Sequence, residues 1–251
     1  MRLLQHLKDH VVDKALETKV ACLSIGLKYT AVTTDDGGIG LAFTCSSNHR
    51  CHSKTSDYVD GEGRSAIGLL EKISDPSPLQ KSIGLATVNA LNYGDASRLQ
   101  DDATDGDWME TFGIGGDTHV AMVGFIRPLS KKMRQKGAQV EIIDEMKGIG
   151  NKNTFYEKLN AWADVLILSS TSILNETAED VLAQLRPQAK AIMIGPSTPL
   201  IPGAFRHLPV QMLAGTVPVN QNAVLKAIRH GEGTPIIHRY SRKVIYKFAS
   251  T

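Results

Sequence analysis

His119-Val-Ala-Met-Val-Gly-Phe, Gln139-Val-Glu-Ile-Ile-Asp, Asp164-Val-Leu-Ile-Leu-Ser-Ser, Lys190-Ala-Ile-Met-Ile-Gly and Val210-Gln-Met-Leu-Ala-Gly are five short apolar runs, and their reading decides the fold. Each of the first four is followed by polar or helix-patterned sequence, and Asn222 to His230 suits a helix after the fifth. Strands apolar along their whole length are buried on both faces, and helices between them make a parallel, doubly wound sheet. The expected fold class is therefore α/β, with strands starting near residues 119, 139, 164, 190 and 209. The tail from Thr234 to Phe248 reads as one or two edge strands.

Working back from these runs, the Asp/Gly-rich stretch from Tyr93 to Thr118 is the best boundary. It carries a short helical pattern at Trp108-Met-Glu-Thr-Phe. The expected division is 1–92, a small α+β domain; 93–118, a crossing segment; and 119–251, the parallel sheet. Within 1–92, Leu3, Leu4, Leu7, Val11, Val12 and Ala15 lie near helical spacing. Residues 19–33 read as strand, Asp35-Asp-Gly-Gly as a hairpin turn, and Ile39-Gly-Leu-Ala-Phe-Thr as the returning strand. Residues 65–73 and 78–91 read as two helices.

The bulk properties exclude several classes. The chain has 251 residues, 42% hydrophobic and 22% charged, and a net charge of +2. That balance favours neither nucleic acid nor an anionic membrane as partner. The first residues lack the apolar core of a secretory signal, and no apolar run approaches the ~20 residues of a membrane span. Three cysteines are too few for a disulfide framework, which points to a reducing cytoplasm. The cations Arg239, Arg242, Lys243 and Lys247 are read as protection of an edge strand from further pairing.

Ligands of open parallel sheets sit beyond the carboxyl ends of the strands, where strand order reverses. Here those ends carry Gly124 with Pro128, Asp144 with Glu145, Ser169-Ser-Thr-Ser, Gly195-Pro-Ser-Thr-Pro and Gly215-Thr-Val-Pro. Glycine admits a ligand to the backbone and hydroxyls bond it. The dinucleotide fingerprint is missing: Gly113-Ile-Gly-Gly precedes a strand instead of following one. A nucleotide- or S-adenosylmethionine-dependent enzyme stays open as an alternative, because Asp144 or Glu145 falls about 20 residues after Gly124, as a ribose-binding acid does. Separately, Cys45, His49, Cys51 and His52 gather the thiol and imidazole donors that zinc or another transition metal prefers. Their spacing matches no standard finger, and ordering four ligands within eight residues costs about 1–2 kcal/mol per residue. Weak metal binding is expected there, with a non-catalytic metal buffer as the corresponding alternative.

Four segments taken together resemble a family, the proteins described as putative heavy-metal chelation proteins. They are Gly84-Leu-Ala-Thr-Val-Asn-Ala-Leu; Val120-Ala-Met-Val-Gly-Phe-Ile-Arg-Pro-Leu; Asp164-Val-Leu-Ile-Leu-Ser-Ser-Thr-Ser-Ile-Leu-Asn-Glu-Thr; and Ile194-Gly-Pro-Ser-Thr-Pro-Leu-Ile-Pro with Leu213-Ala-Gly. The resemblance implies an N-terminal domain like that of enolase, a C-terminal Rossmann-like domain, and a functional cleft between them. Asn89 would face Gly124, Glu145, Ser170, Thr171, Asn175, Gly195, Ser197 and Gly215 across that cleft. Glu145 is the expected acid, base or metal ligand, since the others are neutral. One departure stands out: Asn175-Glu-Thr replaces an expected Asn-Gly-Thr, and its carboxylate would repel an anion. The implied partner is a small molecule or metal complex. Cofactor, catalysis and assembly into a homo-oligomer are left open.

Overall fold

The computed structural model describes residues 2–45, 60–102 and 107–249. Helix α1 (Arg2–Glu17) buries Leu3, Leu4, Leu7, Val11 and Ala15 along one face. Strands β1 (Val20–Ile25), β2 (Tyr29–Thr34) and β3 (Ile39–Phe43) form an antiparallel sheet in sequence order. The Asp35–Gly38 turn forms as expected: Asp36 Oδ1 accepts from Thr34 Oγ1 and from the Gly38 amide. The expected strand over residues 19–33 is instead two strands. A tight turn at Gly26, Leu27 and Lys28 breaks it, with the Gly26 amide bonded to Tyr29 O at 2.9 Å. Leu27, 85% exposed, disguises that turn as apolar strand.

Helices α2 (Ile67–Leu70) and α3 (Pro78–Leu91) follow. Most of α3 is buried all round, from Gln80 to Val88 and again at Ala90 and Leu91. A helix covered on every side needs small residues where backbones meet it. Gly40 of β3 supplies one such contact: a Cβ there would overlap Ala86 O and the Ala90 amide.

The rest of the chain runs α4 (Tyr93–Ala96), β4 (Gln100–Asp101), α5 (Asp107–Thr111), β5 (His119–Val123), α6 (Arg127–Gln135), β6 (Gln139–Ile143), α7 (Lys152–Ala161), β7 (Val165–Ser169), α8 (Thr171–Leu174), α9 (Ala178–Ala183), β8 (Lys190–Ile194), β9 (Val210–Pro218), α10 (Gln221–Arg229), α11 (Thr234–Ile237) and β10 (Ser241–Lys247). The large sheet has the order β4-β10-β9-β8-β7-β5-β6. Its β6-β5-β7-β8-β9 part is parallel, and β10 runs antiparallel to β9 and β4. By order of appearance the five parallel strands stand 2-1-3-4-5, so the winding reverses between β5 and β7.

Alternate residues of these strands serve opposite faces. Val120, Met122, Val165, Ile167, Ile192 and Met212 pack with Trp108, Met109, Phe112 and Met133, beneath α5 and α6. Ala121, Leu166, Leu168, Ala191, Met193 and Leu213 join one continuous core with α1, α3, α7 and α9. The outer face of the small sheet is covered from the far end of the chain, where Tyr29, Ala31, Ile39 and Leu41 meet Val224, Leu225, Ile228 and Ile237.

Two expectations for the tail change. Thr234–Ile237 is a helical turn, opened by Pro235 in the first-turn position that proline suits. β10 is shielded by the two-residue β4, and Arg242 reaches across to Asp101, Ser97 O and Leu99 O. Among the described residues no helix is long and apolar enough to cross a membrane.

Candidate functional site

Three neighbouring strand ends converge at the winding reversal. Gly124, after β5, has φ +83°, and a Cβ there would run into Ser169. Ser169, ending β7, shares a 2.9 Å hydroxyl contact with Thr171. Ser170 is buried with its hydroxyl against Gly195, which follows β8, and its amide bonds Ile194 O at 3.0 Å. Gly124, Ser170, Thr171 and Gly195 are thus brought together at neighbouring strand ends.

Beyond Gly195 the chain meets the N-terminal unit. The Phe43 amide donates to Ser197 Oγ at 2.7 Å. Asn89 Nδ2 donates to Leu41 O at 2.8 Å and to Ser197 O at 3.2 Å. Asn89 and Ser197 therefore stitch the two sheets together. Beside the seam lies a cavity of about 20 Å³, the size of one water molecule, lined by Asn89, Asn92, Tyr93, Thr198 and Thr216. Thr198 Oγ1 is buried there without a protein partner.

The N-terminal wall also brings a group that sequence reasoning missed. The Lys81 side chain is only 8% exposed and pairs with Glu176, whose side chain is 42% exposed. Glu176 sits at φ +59°, in the left-handed region. That conformation suits glycine, so the departure from Asn-Gly-Thr falls on a backbone position where a side chain is disfavoured. Lys81's hydrogen bond and charge hold the Glu176 carboxyl below its ordinary range against some opposing burial. A lysine within the apolar α3 was the available signal, since buried amines need a partner. Next to it, the Cys45 amide bonds Ser82 Oγ at 3.0 Å. Burial pushes the Cys45 thiol up, with Ser82 and Lys81 pulling the other way.

Other expected residues lie elsewhere. Glu145 follows the edge strand β6, is 65% exposed, and has Lys152 at 3.9 Å. It is not shielded from water as a proton-transfer role in a dry cleft would require. The buried acid is Asp144, which accepts from the Phe125 amide at 2.8 Å, the Lys147 amide at 3.1 Å and Lys147 Nζ at 2.8 Å. Burial opposes ionisation of Asp144, but the Lys147 and Phe125 contacts prevail and lower its pKa. The acid that a ribose would need is thereby already engaged. Asn175 is exposed and accepts from Thr177. Gly215 does not end a strand: β9 continues to Pro218, and Gly215 pairs with Val244. Of the cysteine and histidine set, Cys45 is placed as above, while His49, Cys51 and His52 lie outside the described residues. Among the described residues no three His, Cys, Asp or Glu side chains converge as metal ligands.

Comparison with known proteins extends over nearly the whole chain. The pattern of a family described as "Putative heavy-metal chelation" matches residues 107–247, and a second pattern with the same description matches residues 8–92. An uncharacterized protein of Methanocaldococcus jannaschii is 20% identical over 242 residues, spanning 92% of this chain and 91% of its own. A solved structure from Pyrococcus horikoshii, of a protein with unknown function, superposes with a TM-score of 0.80 at 21% identity. It covers 98% of this chain and 100% of that one. A second, from Desulfitobacterium hafniense and also of unknown function, gives 0.79 at 19%, with 98% and 97% covered. At such identities the structural likeness speaks for the fold alone. With more than half its length matched by one pattern, the chain belongs to the family described as "Putative heavy-metal chelation".

Proposed function

We propose that the protein binds a small molecule, or a metal ion carried by one, in the crevice between the N-terminal unit and the carboxyl ends of β5, β7 and β8. The observation that carries this reading is the meeting of Gly124, Thr171 and Gly195 at the winding reversal of a doubly wound sheet. Open sheets of this kind take their ligands at that point. The hydroxyls of Ser169 and Thr171 offer donors and acceptors, and the Lys81–Glu176 ion pair lies on the opposite wall. Since no three described ligands converge, the metal enters this reading as cargo held by the small molecule. Binding, rather than turnover, is the function proposed, because Glu145 is solvent-exposed and Asp144 is bonded to protein groups.

Native mass spectrometry of freshly purified protein, paired with metal analysis, tests this. A bound organic mass, with or without a metal, should be retained by the wild type and by Cys45→Ser/Cys51→Ser. It should be lost from Thr171→Val and Lys81→Met. Stoichiometric metal without an organic mass, removed by the cysteine substitutions, would transfer the function to the set Cys45, His49, Cys51 and His52.

A further inference from the structure

Outside the crevice, two imidazoles meet at chelating distance. His6 of α1 and His207, beyond β8, bring their Nδ1 atoms within 3.1 Å, with ring planes crossing at 75°. Two nitrogens each about 2.0–2.1 Å from a shared zinc ion and 3.1 Å apart subtend roughly 100° at it, between the octahedral and tetrahedral angles.

The surroundings prepare His207 as a donor. Its Nε2 lies 3.3 Å from Glu179 Oε1. Glu179 is fixed by the first turn of α1, accepting from the Arg2 amide at 3.0 Å and the Leu3 amide at 2.8 Å. A carboxylate that already accepts from two amides accepts from His207 Nε2 as well, which leaves Nδ1 of the same ring facing His6. This carboxylate–histidine arrangement is the one that orients metal-ligating imidazoles. A separation of 3.1 Å is also a hydrogen-bond distance, so a metal ion bound by both rings would displace the proton they share. His207 is 16% exposed, so the pair is partly shielded from water yet within reach of the surface.

We infer that His6 and His207 form a two-nitrogen site for a borderline divalent transition metal, with Glu179 orienting His207 and water or a small ligand completing the shell. Imidazole donors suit copper, nickel and zinc, and copper(II) binds most tightly among them. This site is separate from the crevice proposed above and stands whether or not that crevice binds a ligand.

Copper(II) is titrated into the full chain bearing Cys45→Ser/Cys51→Ser, which keeps thiols out of the reading. One equivalent should bind, with an electron paramagnetic resonance spectrum showing coupling to two nitrogens. His6→Gln and His207→Gln should each weaken binding at least tenfold, and Glu179→Gln about tenfold, while leaving the far-ultraviolet circular dichroism unchanged. Copper affinity unaltered in both histidine variants would overturn the site, as would a spectrum with one nitrogen or none. If a variant fails to fold, the spectrum of the protein with both histidines intact decides.

Discussion

Lys81 and Glu176 are unequal partners, and the inequality is measurable. Without Lys81, the Glu176 side chain, 42% exposed, is still solvated. Without Glu176, the Lys81 ammonium is left nearly buried and alone. Lys81→Met should therefore cost less than about 1 kcal/mol, whereas Glu176→Ala should cost about 1–3 kcal/mol. Urea denaturation of the two variants checks this, and equal costs would contradict it. Asp144 gives a second test, through pH. Its folded pKa lies below the unfolded one, so its contribution is complete above the ordinary carboxylate range and is lost as pH falls through the folded value. Asp144→Asn should be less stable than wild type by about 1–2 kcal/mol at neutral pH, and the gap should close below roughly pH 4. Melting temperatures recorded across that range would show it. At this scale the sequence was partly legible. That Gly124, Ser170, Thr171 and Gly195 stand at strand ends follows from the apolar runs that precede them. Lys81 did not, because one cation inside an apolar helix shows its importance only once the helix is seen buried on every side. The sequence gives no sign of which of the adjacent Asp144 and Glu145 turns inward.

Single glycines decide how closely the elements pack. Gly40→Ala would press a methyl group into the α3 backbone at Ala86 and Ala90, which cannot yield as a flexible side chain would. A loss of about 3 kcal/mol is expected, the upper end of typical overpacking costs. Gly37→Ala, at a turn with open space around it but φ +86°, should cost clearly less. Comparing their denaturation midpoints separates close approach from backbone strain. The parallel strands were readable because buried strands are apolar throughout, whichever helices cover them. The turn at Gly26 was not, since Leu27 supplies an apolar residue where turns are normally polar. The helical turn at Thr234 was hidden for a related reason: isoleucines after a proline suit a strand as well as a helix start.

Across the whole molecule, the two sheets are not separable bodies. One core runs from α1 and α3 into the face of the large sheet, and α10 closes the outer face of the small one. The small sheet has apolar residues on both faces, one covered by α3 and the other by α10, so its stability is drawn from the rest of the chain. Scanning calorimetry should give a single cooperative transition, and Ile228→Ala should lower it as a whole by about 2–4 kcal/mol in stability. Two separate transitions, with only one sensitive to Ile228, would refute the shared core. This sharing also holds α3 against the ends of the parallel strands, where the crevice is proposed. Its identification is tested most directly by a high-resolution crystal structure of protein purified without dialysis or chelators. The account predicts density for a non-protein group bounded by Gly124, Thr171, Gly195 and Lys81. Density for such a group at Glu145 or along α6, with the crevice closed by its own side chains, would contradict it.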